Sequence, residues 1–280
     1  MHKVIVILGQ TATGKSNLAI KIAKKIGSEI VSADSRQVYK CLNIGTGKIT
    51  KKEMRGISHH LLDVVNPKYK FTVAEYQKKA IYAIAEIVKR GKIPIICGGT
   101  GFYIDAITKG IVFPEVPPNI KLRKDLERKT AQGLFKILKR IDPRRAKNID
   151  SKNKVRLIRA IEIAKALGKV SKIKEVKPKY NFVKIGLYLP EDKLKKKIEK
   201  RVKKMFKDGL LNEIKKLKKS GVSDKRLREF GFEYNNPTKE KIITETLKYA
   251  KRQMTWFKRD KEIRWFDASN TKQIISIFKK

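Results

Sequence analysis

Two kinds of apolar pattern alternate along the first 110 positions of this 280-residue chain. Short runs rich in β-branched residues, at about 4–8, 29–32 and 93–97, predict buried strands. Between them, apolar residues recurring every three or four positions at about 15–26 and 73–90 predict helices with one buried face. That alternation is the rhythm of a parallel sheet covered by helices, so an α/β core is expected. Pro114-Glu115-Val116-Pro117-Pro118 interrupts it, and the stretch that follows, to about 180, has helical periodicity with little strand signal. We read residues 115–181 as an inserted helical module and residues 1–114 with 182–280 as the core. The segment from Phe182 to Leu189 has the composition of a strand able to rejoin the sheet. Helices are expected near 191–206, 209–219 and 237–259.

Charge adds a partner to this picture. The chain carries 69 Lys and Arg against 27 Asp and Glu, a net +42 that far exceeds what solubility needs. A polyanion is implied, nucleic acid rather than an anionic membrane, with a lysine-rich proteome as the competing account. Residues 1–110 hold 19 basic and 7 acidic side chains, and residues 111–280 hold 50 and 20, so the later part carries most of the excess. The apolar run at the N-terminus is too short for a secretory signal, and no run approaches about 18 residues, so a cytoplasmic protein that does not enter membranes is expected. Cys41 and Cys97 follow no zinc spacing and are too few for a disulfide framework. His59-His60 point to opposite sides of an extended chain, which disfavours one shared metal and favours structural roles.

Candidate chemistry begins directly after the first strand. Gly9-Gln10-Thr11-Ala12-Thr13-Gly14-Lys15-Ser16 fits G-x-x-x-x-G-K-[ST] and opens the first helix. Such a loop wraps a phosphate with successive N–H groups, Lys15 neutralises outer oxygens, and the Ser16 hydroxyl can ligate Mg²⁺. The motif implies a diphosphate without saying which molecule owns it. Nucleotide hydrolases also hold their metal with an Asp at the end of a neighbouring strand, yet the strand at 93–97 runs into Cys97-Gly98-Gly99-Thr100-Gly101. Asp34, at the expected carboxyl end of the second strand, is the best catalytic carboxylate, with helix capping as its other reading. A small-molecule kinase, an enzyme prenylating free adenine nucleotides and an RNA-binding nucleotide switch all remain open on these residues.

Seven segments in order resemble the bacterial tRNA dimethylallyltransferase, or tRNA isopentenyltransferase, family. They are the phosphate loop, Asp34-Ser35-Arg36-Gln37-Val38-Tyr39, Gly56-Ile57-Ser58-His59-His60-Leu61-Leu62-Asp63, Gly98-Gly99-Thr100-Gly101-Phe102-Tyr103-Ile104, Arg156-Leu157-Ile158-Arg159-Ala160-Ile161-Glu162, Gly209-Leu210-Leu211-Asn212-Glu213-Ile214, and the stretch from Tyr249 to Phe257. The resemblance implies a P-loop NTPase-like parallel sheet with an inserted helical tRNA-binding module. It also implies transfer of a dimethylallyl group from dimethylallyl diphosphate to N6 of adenine 37 in tRNAs reading codons that begin with U. By the same resemblance, Asp34 is the base on the amine, Thr100 contacts substrate at the reaction centre and Gln37 holds the target base. Lys15, Mg²⁺ on Ser16 and the N–H groups of residues 11–16 receive the diphosphate. Ser35, Arg36, Arg123, Arg156, Arg159, Arg228, Gly231 and Phe232 are the further implied contacts to the anticodon stem-loop, and a monomer is expected. Two departures stand out: Gln10 replaces the family's usual Pro, and Phe230-Gly231-Phe232 replaces Ile-Gly-Tyr, which removes a hydroxyl. Without any family in mind, Tyr249 to Phe257 also reads as a helix burying Tyr249, Trp256 and Phe257.

Overall fold

A computed structural model describes residues 1–170 and 174–278. The chain divides into two compact units, Met1–Gly110 with Lys177–Lys280, and Ile111–Val176. The first unit opens with β1 (Lys3–Gly9), α1 (Lys15–Ile26), β2 (Ile30–Ala33), α2 (Lys51–Met54), β3 (His59–His60), α3 (Val73–Lys89), β4 (Ile95–Gly98) and α4 (Gly101–Thr108). The second unit comprises β5 (Ile111–Val112), α5 (Ile120–Glu127), α6 (Ala131–Ile141), α7 (Pro143–Lys147), α8 (Lys154–Leu167) and β6 (Lys174–Glu175). The chain then returns to the first unit through β7 (Asn181–Tyr188), α9 (Glu191–Lys207), α10 (Leu210–Lys219), α11 (Asp224–Phe230), a 3₁₀ turn at Phe232–Tyr234, α12 (Lys239–Phe257), β8 (Arg264–Asp267) and α13 (Thr271–Ser276).

The six strands of the first unit form one parallel sheet in the order β3-β2-β4-β1-β7-β8. β1 lies between β4 and β7, with Ile5 opposite both Ile95 and Val183. Its residues Val4 to Leu8 are all buried, as a strand covered on both faces requires, and this is why its sequence is continuously apolar rather than alternating. Two strands escape the sequence pattern. His59–His60 is a two-residue strand pairing with Ile30 and Val31, too short to show a period. Arg264–Asp267 mixes charged and aromatic residues because it is the sheet's edge, so the stretch after 190 is not helical throughout. Among the described residues no helix is long and apolar enough to cross a membrane.

Buried carboxylates tie each unit together. Glu29, only 7% exposed at the entry to β2, accepts hydrogen bonds from His60 Nε2 at 2.8 Å, Arg90 at 2.8 and 3.2 Å and Lys92 at 3.0 Å. His59 Nδ1 instead meets the Ile57 carbonyl oxygen at 2.8 Å, so the paired histidines serve structure. Burial opposes ionisation of Glu29, but these donors outweigh it and hold the carboxyl at about 2, below the ordinary 4.5. In the second unit, Leu126, Leu134, Leu138, Leu157 and Ile161 form a separate core. There Glu162 accepts from Arg123 Nε at 2.9 Å and Nη2 at 2.7 Å, from the Asn119 N–H at 2.6 Å and from Arg159.

A carboxyl held low in the folded state stabilises it fully above the unfolded value, and this stability fades as pH falls towards the folded value. The unfolding free energy should therefore drop between pH 4.5 and 2, and Glu29→Gln should flatten that slope in urea titrations run across this window. Glu162→Ala should destabilise the chain by about 1–3 kcal/mol in the same assay, because four donor groups from three residues lose a buried acceptor.

Candidate active site

In an open parallel sheet, ligands bind beyond the carboxyl ends of the strands where the strand order reverses. Here β4 stands between β2 and β1, so the loops leaving these three strands are neighbours. They carry Asp34, the Gly98-Gly99-Thr100 turn and the phosphate loop. Two glycines let the backbones approach. A Cβ on Gly98 would stand 2.1 Å from the Ala33 carbonyl oxygen, and one on Gly9 would stand 2.1 Å from that of Leu187.

The phosphate loop is a built anion cradle. Among the described residues, the backbone N–H groups of Ala12 through Ser16 have no hydrogen-bond partner. The Thr11 N–H is different: it donates to Gln253 Oε1 at 2.7 Å, which corrects the expectation that the cradle begins at residue 11. Thr13 Oγ1 donates to the Gln10 carbonyl at 2.8 Å, and Gln10 Oε1 accepts from the Leu189 N–H at 3.1 Å, a bond that proline at position 10 would forgo. Lys15 Nζ donates to the Gln10 carbonyl oxygen, and burial lowers its pKa to about 8. Ser16 is exposed in the first turn of α1, with its hydroxyl bonded to Cys97. Burial pushes that thiol up to about 11, so a neutral group occupies the place where a nucleotide hydrolase would hold a metal-binding acid.

Asp34 Oδ1 accepts from the N–H groups of Arg36 at 2.9 Å and Gln37 at 3.2 Å, which fixes the turn after β2. Among the described residues Oδ2 has no partner, so one carboxylate both caps the turn and keeps an unbonded oxygen. The Ser35 N–H donates to Thr100 Oγ1 at 3.0 Å, and Thr100 also bonds the hydroxyl of Tyr249. Gln37 spends its amide donors on the carbonyls of Thr46 and Gly47, at 3.3 and 3.4 Å.

Asp34 borders an open cleft of about 490 Å³, which Thr11 of the phosphate loop also lines. One wall is α9, presenting Ile198, Arg201, Val202 and Met205 at helical spacing, and the other walls include Thr11, Asp34, Thr46, Thr246 and Tyr249. Arg36 sits 5.4 Å from the Phe232 ring centroid and 5.5 Å from that of Tyr249, and pairs with Glu233 at 2.5 Å. Burial pushes the Glu233 carboxyl above its usual range despite that partner. Gly231 passes so close to Arg36 that a Cβ there would come within 2.9 Å of the guanidinium. Arg201 donates to Thr11 Oγ1 at 3.3 Å and to the Thr46 carbonyl at 3.0 Å, and burial lowers its pKa. It is a cation held against the phosphate loop with no carboxylate in contact among the described residues. The loop it braces is held in turn by Glu213, which accepts the N–H groups of Asn43, Ile44 and Gly45 at 2.8–3.1 Å.

Of the residues singled out from the sequence, Asp34, Arg36, Phe232 and Thr11 of the phosphate loop line this cleft, and Thr100 lies behind it, bonded to the Ser35 N–H; sequence reasoning passes over Arg201, Thr46 and Gln253. Arg201 sits in a lysine-rich helix, and its only signal is that it shares a face with Ile198, Val202 and Met205. The remaining expected contacts lie elsewhere. Arg228 is exposed on α11. In the second unit, Arg123 and Arg159 spend their guanidinium groups on Glu162, whereas Arg156 is exposed.

A family model described as IPP transferase matches residues 37–260. The tRNA dimethylallyltransferase of Anoxybacillus flavithermus is 41% identical over 284 residues, spanning 96% of this chain and 91% of that protein. That of Bacillus subtilis is 39% identical over 283 residues, spanning 94% and 91%. Among solved structures, the full-length tRNA isopentenylpyrophosphate transferase of Bacillus halodurans has a TM-score of 0.73 at 34% identity, covering 99% of this chain and 95% of its own. A eukaryotic dimethylallyltransferase acting on tRNA has a TM-score of 0.81 at 29% identity, covering 98% and 75%. With a phosphate loop, an Asp-bearing turn and a Thr-bearing turn leaving three neighbouring strands, and relatives matched over nearly its whole length, the chain belongs to the IPP transferase family.

Proposed function

We propose that the protein transfers a dimethylallyl group from dimethylallyl diphosphate to N6 of adenine 37 in tRNA, working in the cytoplasm on tRNAs that read codons beginning with U. One observation carries the reading: a carboxylate with an unpartnered oxygen, Asp34, and the edge of the phosphate loop at Thr11 line one cleft whose α9 wall is mostly apolar. The cradle suits the leaving group, the carboxylate suits the nucleophile, and the apolar wall suits a five-carbon chain between them.

The adenine amine is a poor nucleophile because its lone pair is delocalised into the ring. Asp34 Oδ2 removes an N–H proton as the N6–C1 bond forms and the C1–O bond to diphosphate breaks. Negative charge on the departing diphosphate meets the five open amides of residues 12–16, Lys15 and Arg201. Thr100 stands beside Asp34 through its bond to the Ser35 N–H and orients the amine. The Arg36 guanidinium, lying over Phe232 and Tyr249, offers a planar surface on which an unstacked base can rest. The donor set also fits Mg²⁺, a hard ion satisfied by one hydroxyl with phosphate and water oxygens. Ser16 would hold it, where it would supply further charge for the diphosphate, and the neutral Cys97 thiol beside Ser16 leaves the diphosphate to provide the anionic ligands. Exposed cations of the second unit, Arg156 among them, suit the phosphates of an anticodon stem.

Incubation of the protein with Mg²⁺, dimethylallyl diphosphate and an unmodified tRNA carrying A36-A37-A38 should yield N6-dimethylallyladenosine after digestion. Steady ATP turnover with no such product would refute the reading. Asp34→Ala should lower the rate of transfer by about 10²–10⁴-fold while tRNA affinity in filter binding is retained. Arg156→Ala should weaken tRNA binding and lower the slope of log affinity against log salt by about one.

A further inference from the structure

Gln253 lies in the Tyr249–Phe257 stretch, where the sequence pattern finds only a buried helical face and family-like residues. It is 5% exposed, and both halves of its amide are spent on backbone from distant parts of the chain. Oε1 accepts the Thr11 N–H of the phosphate loop at 2.7 Å, and Nε2 donates to the Gly99 carbonyl, one residue before Thr100, at 2.8 Å. We infer that Gln253 is a positioning residue that sets the phosphate loop at a defined distance from the turn bearing Thr100. The assignment rests on the diphosphate-transfer reading above.

A buried amide is commonly just a satisfied polar group, but three features of this one go further. It occupies an amide of the phosphate loop itself, so it decides where the open run of N–H groups begins. The loop residue next to the one it holds is backbone-strained, Ala12 standing at φ 62°, and such a conformation persists only where the surrounding structure fixes it. The same helical face also grips the other side of the reaction centre. Tyr249, four residues earlier, bonds Thr100, and Trp256, three residues later, donates from Nε1 to Asp105 Oδ2 at 3.2 Å on α4. One rigid helix therefore sets leaving-group and nucleophile sites relative to each other, and Gln253 is its only bond to the phosphate loop among the described residues.

Gly99 supplies an independent lever. A methyl group there would stand 2.3 Å from Gln253 Nε2, so Gly99→Ala pushes the amide off its acceptor while leaving Gln253 in the chain. The full-length protein should be titrated calorimetrically with inorganic diphosphate in Mg²⁺, and KM should be measured separately for dimethylallyl diphosphate and for tRNA. Gln253→Ala and Gly99→Ala are each expected to weaken diphosphate binding and raise the prenyl-substrate KM by about tenfold, the worth of one lost buried hydrogen bond. The KM for tRNA should change less than about twofold, and the double variant should be no weaker than either single one, because both break the same contact. Variants that bind diphosphate as the wild type does would overturn the assignment, as would equal losses for both substrates tracking a lower melting temperature. No binding of diphosphate by the wild-type chain would overturn the transfer reading itself and the assignment with it.

Discussion

The carboxyl edge of the sheet is so tightly assembled that no side chain fits where its strands meet. Gly98 lies against the Ala33 carbonyl, and Gly9 against that of Leu187, each with a missing Cβ's worth of space at 2.1 Å. The first contact seats β4 against β2 and the second seats β1 against β7, and with β4 paired to β1 the loops leaving β1, β2 and β4 emerge side by side. Asp34 follows β2 and the glycine-and-threonine turn follows the adjacent β4, and the small residues of that turn let the two loops stand side by side next to the phosphate loop.

Around this edge the protein manages charge by a repeated device. It carries 69 basic residues but only 27 acidic ones, and several of those acids are buried as hubs. Glu29 collects His60, Arg90 and Lys92, Glu162 collects Arg123 and Arg159, Glu213 collects three loop amides, and Glu233 pairs with Arg36. Each hub turns cations or N–H groups into scaffold, whereas the surface lysines are left to attract phosphate. Arg201 is the exception among the cations at the cleft. Half-buried near Lys15, it has no carboxylate of its own among the described residues.

The family's seven segments were visible in the primary structure because most of them answer a local demand. Gly14-Lys15-Ser16 turns the chain from β1 into a helix, Asp34 must follow β2 to hold the Arg36 and Gln37 amides, and Gly98-Gly99 must be small. His59–His60 and Arg264–Asp267 were not visible as strands, since two residues show no period and an edge strand needs no apolar face. The bond that spends the Thr11 N–H was equally hidden, because its acceptor lies 242 residues away.

The amino-acid sequence alone therefore determined the parallel α/β core, the phosphate-loop motif at the end of the first strand and the excess of positive charge, all of which follow from short-range periodicity, turn chemistry and counting. Tertiary structure decided which cations are spent within the protein, that Arg201 and Tyr249 face the cleft, and that Gln253 joins loop to turn. Helical spacing states which residues share a face. Only the packing of α9 and α12 against the sheet edge determines what that face meets.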